Sequence, residues 1–372
     1  MVFAIVLILL VIGSVVFHFL SPWYLTPLAS NWSTIDDTIN LTFWITGAVF
    51  VAVNLFMAFC VIKFRQKKGS RADYEPENKK LEIWLTGLTA LGVAAMLAPG
   101  LYVWADFVNP PEDADVMEVI GKQWQWSYRF PGDDGMLGTV DTRHTTAENP
   151  LGMNPNDPNG QDDIIVVADD VHLPIGRPVK MLLRSQDVLH DFAVAQFRVK
   201  MDLVPGIVTY LWFTPTVLGS YDVLCEELCG IGHYNMRSHV IVDEEADYKA
   251  WLKTYPTYAQ TVSGTGPASA VGLSLVEQGR QLAQSRGCVA CHSVDGSASI
   301  GPGWLGLYGK TETMADGTTA VVDDAYFIES IVDPNAKVVA GYPAIMPPAS
   351  FTDAEMSALI AFAKEGLGEG SN

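Results

Sequence analysis

Over its first hundred residues the chain alternates long uncharged runs with short polar breaks, and beyond residue 104 it changes to brief apolar stretches separated by turn residues. The uncharged runs cover residues 2–20, 41–62 and 83–104, each close to the ~20 residues that a bilayer core demands. None holds an internal Asp, Glu, Lys or Arg. Runs of that length exceed what a soluble core buries, which predicts membrane spans for the second and third. The first run has two readings, a leader or a third span. A leader carries a basic start and a shorter apolar region, whereas this chain has no Lys or Arg before Lys63, which favours a span.

After residue 109, runs rich in β-branched and aromatic residues at 116–120, 164–168, 179–183 and 221–224 predict a β-sandwich. A stretch rich in Gly, Asp, Asn and Pro between Phe130 and Asp163 reads as a long surface loop. The sandwich ends in a short helical piece at 244–255. Residues 256–272 are built of Pro, Thr, Ser, Gly and Ala and read as a flexible linker with a mean span of roughly 20–25 Å. Helical spacing returns at 273–286, 323–332 and 352–365, the last opened by a Thr352/Glu355 capping box. The expected organisation is a multidomain membrane protein: a transmembrane α-helical region over 1–108, a β-sandwich over 109–255, the linker, and a small all-α domain over 273–372.

Charge orients this arrangement. The loop at 63–80 carries Lys63, Arg65, Lys67, Lys68, Arg71, Lys79 and Lys80, while 21–40 has no base and holds Asp36 and Asp37. The basic loop is therefore expected in the cytoplasm and everything after residue 104 on the outer face, which in a bacterium is the periplasmic side of the inner membrane. That outer part holds 16 basic against 36 acidic residues. Such a surface argues against nucleic acid. It either steers a basic protein donor or serves as a solvated exterior.

Five cysteines carry the chemistry. Cys60 lies in a span and reads as a small apolar residue. Cys288, Cys291 and His292 form C-x-x-C-H, the pattern for covalent haem c, in which the thiols bond the vinyl groups and the histidine takes an axial position. A zinc site would need two further nearby Cys or His, and no such pair follows. Cys225 and Cys229 stand in a loop with His233 and Met236, with His190 upstream. A blue-copper site on a β-sandwich uses two His, one Cys and a weak Met, and this set has one more cysteine. Two copper ions bridged by both thiolates account for it; a Cys225–Cys229 disulfide is the alternative in an oxidising compartment. Seven histidines, none clustered in a span, leave no means to build a haem-copper oxygen site in this chain.

These motifs resemble two families. The stretch from Cys288 through Gly301-Pro302-Gly303 to Met346 resembles class I cytochromes c. That likeness implies that the Pro302 carbonyl orients His292 and that Met346 is the sixth iron ligand, with Met314 as rival. Two filled axial positions imply electron transfer rather than oxygen activation. The part from about Leu41 to Tyr255 resembles cytochrome c oxidase subunit II with its cupredoxin-like binuclear copper domain, the CuA pattern, and the whole resembles caa-type haem-copper oxidases. By that likeness His190, Cys225, the Glu227 carbonyl, Cys229, His233 and Met236 hold two coppers. The Glu227 carboxylate would reach a magnesium ion shared with subunit I, Trp124 would mediate electron entry, and Glu82 would lie near a proton-channel mouth. Phe192 and Leu85 stand where the family often has tryptophan; neither removes a ligand.

The implied function is the electron-transfer subunit of a terminal oxidase, with oxygen reduced in a partner subunit and protons translocated by the assembly. Implied partners are subunits I and III, membrane lipid, and a donor that is a cytochrome c or a quinol-oxidising complex. The alternatives are the small subunit of a CuA-containing nitric oxide reductase and a membrane-tethered copper carrier or assembly protein.

Overall fold

The computed structural model describes residues 2–20, 26–69, 71, 74, 76–146, 149–167, 169–263 and 274–365. It divides into two units, residues 1–110 with 196–198, and the remainder.

Among the described residues the first unit contains α1 (Val2–Leu20), α2 (Ser33–Lys63) and α3 (Lys79–Phe107), three helices long and apolar enough to cross a membrane. Their apolar side chains are mostly exposed, as expected of surfaces that face lipid. α1 meets α2 in a buried cluster of Ala4, Leu7 and Ala58, with Ile8 and Val61 packed against it. Asn78 caps α3 by accepting from the Leu81 N–H at 3.1 Å. Arg198 grips Asp36 with two hydrogen bonds, 2.6 and 2.9 Å.

The second unit opens with a sandwich of ten strands among the described residues: β1 (Asp115–Lys122), β2 (Gln125–Phe130), β3 (Ile164–Val167), β4 (Val171–Pro174), β5 (Val179–Ser185), β6 (His190–Val194), β7 (Val199–Leu203), β8 (Thr209–Phe213), β9 (Gly219–Cys225) and β10 (Arg237–Asp243). One sheet runs β3-β2-β1-β5-β8 and the other β4-β10-β9-β6-β7. The β1–β5 and β10–β4 pairings are parallel, the rest antiparallel. In β5 alternate residues are buried, the signature of a strand with one face on a core. Tyr128, Met181, Phe192, Phe213, Val223 and Val240 fill the space between the sheets. The long connection between β2 and β3 is pinned by a buried ionic network. Arg129 bridges Glu118 and Asp163 at 2.8 and 2.7 Å and also donates to the Gly138 carbonyl.

After β10 comes α4 (Glu245–Leu252), docked by Trp251, which stacks on His172 at 4.4 Å. The linker expected from residue 256 is corrected at its start. Residues Tyr258–Ser263 form a helix, α5, and Tyr258 is buried with Ile120, Leu151 and Met153. An aromatic ring that can leave water overrides the turn-prone composition around it, and the Tyr258 N–H donates to the Asp163 carbonyl at 2.7 Å. Residues 264–273, the rest of that expected linker, lie outside the described residues.

The C-terminal part contains α6 (Leu275–Ser285), a hairpin of β11 (Thr311–Thr313) and β12 (Thr319–Val321), α7 (Asp324–Val332) and α8 (Asp353–Glu365). The hairpin was not expected in an all-α domain; its strands have only three residues each, too short for a period to show. The capping box forms, with the Thr352 N–H on Glu355 at 2.7 Å and the Glu355 N–H on Thr352 at 3.3 Å. Ala283, Trp304, Leu307, Phe327, Leu359 and Phe362 make the core of this part.

Candidate metal and haem centres

Strand pairing assembles the first site. β6 and β9 are neighbours with Phe192 opposite Cys225, so His190 at the start of β6 meets Cys225 at the end of β9. The loop from β9 to β10 then folds back over the pair. Cys225 and Cys229 Sγ lie 3.7 Å apart, too far for a disulfide, whose S–S bond is about 2.05 Å. His190 Nδ1 is 4.0 Å from Cys225 Sγ, His233 Nδ1 is 3.6 Å from Cys229 Sγ, and Met236 Sδ is 3.9 Å from Cys229 Sγ. The Glu227 carbonyl oxygen is 3.3 Å from Cys225 Sγ. His190, Cys225 and Cys229 offer donor atoms that all lie within 4.8 Å of one another.

The electrostatics favour loss of one thiol proton. Burial pushes the Cys225 thiol up, but hydrogen bonds from His190, from the Asp191 and Glu227 backbone and from His233 outweigh it and hold the pKa at about 6. Burial and then the Cys225 charge push Cys229 up to about 12. A soft cation bound here would hold the Cys225 thiolate and displace the proton that Cys229 retains, so that both sulfurs serve as thiolates. Two thiols, two imidazoles, a thioether and a carbonyl converge here, and this donor set fits copper.

Beside Trp124, two residues around this loop had not been singled out, Gln123 and Asp187. Gln123 Nε2 and Trp124 Nε1, at the turn between β1 and β2, both donate to the Cys229 carbonyl, at 2.8 and 3.1 Å. Asp187 accepts from His190 Nε2 at 2.8 Å and from the Gln123 N–H at 2.7 Å. It therefore orients the imidazole with Nδ1 towards the thiols, the usual service of an outer carboxylate. The one signal in the sequence was an aspartate three residues before the histidine.

At the second site Cys288, Cys291 and His292 follow α6. His292 Nδ1 is 2.8 Å from the Pro302 carbonyl, which fixes the tautomer and leaves Nε2 as the ligating atom. Burial lowers its pKa, keeping the imidazole neutral. A Cβ on Gly301 would fall 2.8 Å from His292 Cε1, so the ring is held with no room to spare. Cys288 and Cys291 are not joined by a disulfide, which leaves both sulfurs for thioether bonds. Met346 packs against the core around Trp304 and Leu307, with Cys288 on the same core. Met314 is buried in the β11–β12 hairpin turn, its N–H bonded to the Thr318 carbonyl. These residues fit haem c.

Glu227 is half-buried in the copper loop, and Glu82 is exposed in the first turn of α3, in the other unit.

Comparison with known proteins agrees with this chemistry. Residues 116–244 match the family "Cytochrome C oxidase subunit II, periplasmic domain", and residues 276–365 match "Cytochrome c". The alternative cytochrome c oxidase subunit 2 of Bradyrhizobium diazoefficiens is 61% identical over 259 residues, covering 70% of this chain and 94% of that protein. The cytochrome c oxidase subunit 2 of Alkalihalophilus pseudofirmus is 26% identical over 353 residues, covering 91% and 89%. Among solved structures, the periplasmic domain of cytochrome oxidase subunit II from Bradyrhizobium japonicum matches with a TM-score of 0.29 and 26% identity, covering 39% of this chain and 96% of that one. The chain belongs to the cytochrome c oxidase subunit II family and carries a cytochrome c domain after its copper domain.

Proposed function

We propose that this chain is the electron-input subunit of a terminal oxidase of the bacterial inner membrane. His190, Cys225, the Glu227 carbonyl, Cys229, His233 and Met236 would hold two copper ions, and Cys288, Cys291, His292 and Met346 one haem c. When bound, these groups supply the one-electron carriers through which electrons pass from an external donor, by haem c and then copper, to a haem in subunit I, where oxygen is reduced with proton translocation.

The chain's own residues prepare the two sites. Asp187 and the Pro302 carbonyl hold one imidazole each in a ligating orientation. Gln123 and Trp124 fix the Cys229 carbonyl, and with it the loop that carries four of the donors. On this reading Trp124 lies at electron entry, the Glu227 carboxylate reaches a magnesium ion shared with subunit I, and Glu82 stands by a proton-channel mouth. Subunit III and a cytochrome c or quinol-oxidising donor complete the assembly.

The observation that carries this reading is the convergence of two thiols with His190, His233 and Met236 within 3.6–4.0 Å contacts, in the unit that also holds the haem-attachment motif. Metal analysis and electron paramagnetic resonance of the full chain, matured with copper and haem, test it. Two coppers with a seven-line mixed-valence signal and one covalent haem are expected. A four-line signal, or one copper or none, would overturn the binuclear site.

A further inference from the structure

The copper loop and the haem-attachment loop touch each other. Asn235, between His233 and Met236, donates its side-chain Nδ2 to the Ala290 carbonyl at 2.8 Å. Ala290 is the residue before Cys291, inside the attachment motif itself. A second contact lies beside the first. Ile300, 7% exposed and two residues before Pro302, approaches Gly232 and Trp124. A Cβ on Gly232 would come 2.2 Å from Trp124 Cδ2 and 2.6 Å from Ile300 Cδ1. A third contact joins the residue before Cys288 to the β2 strand, since a Cβ on Gly287 would lie 2.9 Å from Gln125 Oε1. These contacts use none of the proposed ligand atoms.

We propose that Asn235 is a positioning residue that seats the cytochrome c domain on the copper domain of the same chain, through its hydrogen bond to Ala290, over an apolar patch made by Trp124, Gly232 and Ile300. The inference rests on the electron-relay reading above and deepens it. Because the two parts share one chain, docking is intramolecular, and a modest contact suffices to keep it populated. A single neutral hydrogen bond is worth about 1 kcal/mol net. Gly232 has no side chain because any added atom would wedge between Trp124 and Ile300. Ile300 and Trp124 thus meet about Gly232, and that part of the copper domain faces the chain's own haem-attachment loop.

Asparagine is also the right chemistry for this contact. Aspartate has the same shape but presents only acceptor oxygens to the Ala290 carbonyl, so it keeps the packing and loses the donor. If Asn235 only filled space, Asn235→Asp would behave like the parent.

The test uses the full chain loaded with copper and haem. Amide hydrogen exchange is followed over residues 287–301 and 230–236, together with single-turnover electron transfer from reduced haem c to copper. Asn235→Asp is expected to speed exchange in both segments by about tenfold, and Asn235→Ala by about fivefold, the factor that about 1 kcal/mol represents; electron transfer follows the docked fraction and slows by no more than about twofold while docking still predominates. The haem absorption spectrum and copper resonance signal should match the parent. Parent-like exchange in Asn235→Asp would overturn the proposal. Ile300→Ser perturbs the same seam from the haem side, at a residue that is itself no proposed ligand of copper or haem. It decides the matter if Asn235→Asp disturbs the copper signal: faster exchange over 230–236 supports the seam and parent-like exchange refutes it. A parent chain without the mixed-valence signal would instead sink the relay reading, a different failure seen in a different measurement.

Discussion

Replacing Arg129 with methionine should destabilise the copper domain by an amount that depends on pH. Arg129 is 3% exposed and spans Glu118, Asp163 and the Gly138 carbonyl, and Asp163 is fully buried. Glu118 keeps a second partner, Arg184, at 2.9 Å, but Asp163 loses its cation. In the parent, burial raises the Asp163 pKa to about 6 against the pull of Arg129. An unfolded aspartate titrates near 3.9. The sign follows from linkage: a carboxyl raised on folding contributes stability in full below about pH 4, and that stability is lost as pH rises through about 6. Above that the parent is flat. In Arg129→Met only the Gly138 N–H, 3.0 Å from Asp163 Oδ2, still opposes burial; Asp163 stays protonated when folded, and stability keeps falling by about 1.4 kcal/mol per pH unit. The gap between variant and parent should therefore be about 1–2 kcal/mol at pH 5, from the other lost hydrogen bonds. By pH 8 it should reach about 4–5 kcal/mol, the range expected when a buried pair is broken from one side. Native-state hydrogen exchange of β1 and β2 amides in the full chain measures this locally, without assuming that all domains unfold together. Adding Asp163→Asn to Arg129→Met should remove the pH-dependent part. A gap that is the same at pH 5 and pH 8 would refute the reasoning.

Three further outcomes are expected. Met346→Leu should open an axial position, seen as carbon monoxide binding to the reduced haem and a shifted Soret band, while Met314→Leu should leave the spectrum unaltered; the reverse pattern would exchange their roles. Tyr258→Ala should cost about 3 kcal/mol in local stability by exchange at β3, because it empties a site only 5% exposed, whereas a plain linker residue would cost nothing measurable. Reduction of the full chain by a basic cytochrome should slow as ionic strength rises, given the net charge of -19; a salt-independent rate would mean that the acidic exterior steers nothing.

The sequence by itself determined the parts whose meaning is local. Apolar length declared the three long helices, because a bilayer sets a length that a short window can test. C-x-x-C-H and the Cys225–Met236 loop were legible because each keeps its donors within a few residues of chain, as was the capping box at Thr352. Composition misread residues 258–263, since the burial of Tyr258 depends on Ile120, Leu151 and Met153, far away in sequence. The tertiary structure alone decided how the pieces meet. His190 comes to the thiols only through the β6–β9 pairing, and Arg129 finds Asp163 across 34 residues of loop. Gln123, Asp187 and Asn235 carry no motif. Their roles arise where the ends of strands from both sheets and the haem-attachment loop converge, and a chain-local pattern holds no record of such meetings, because they are set by sheet order and packing rather than by spacing.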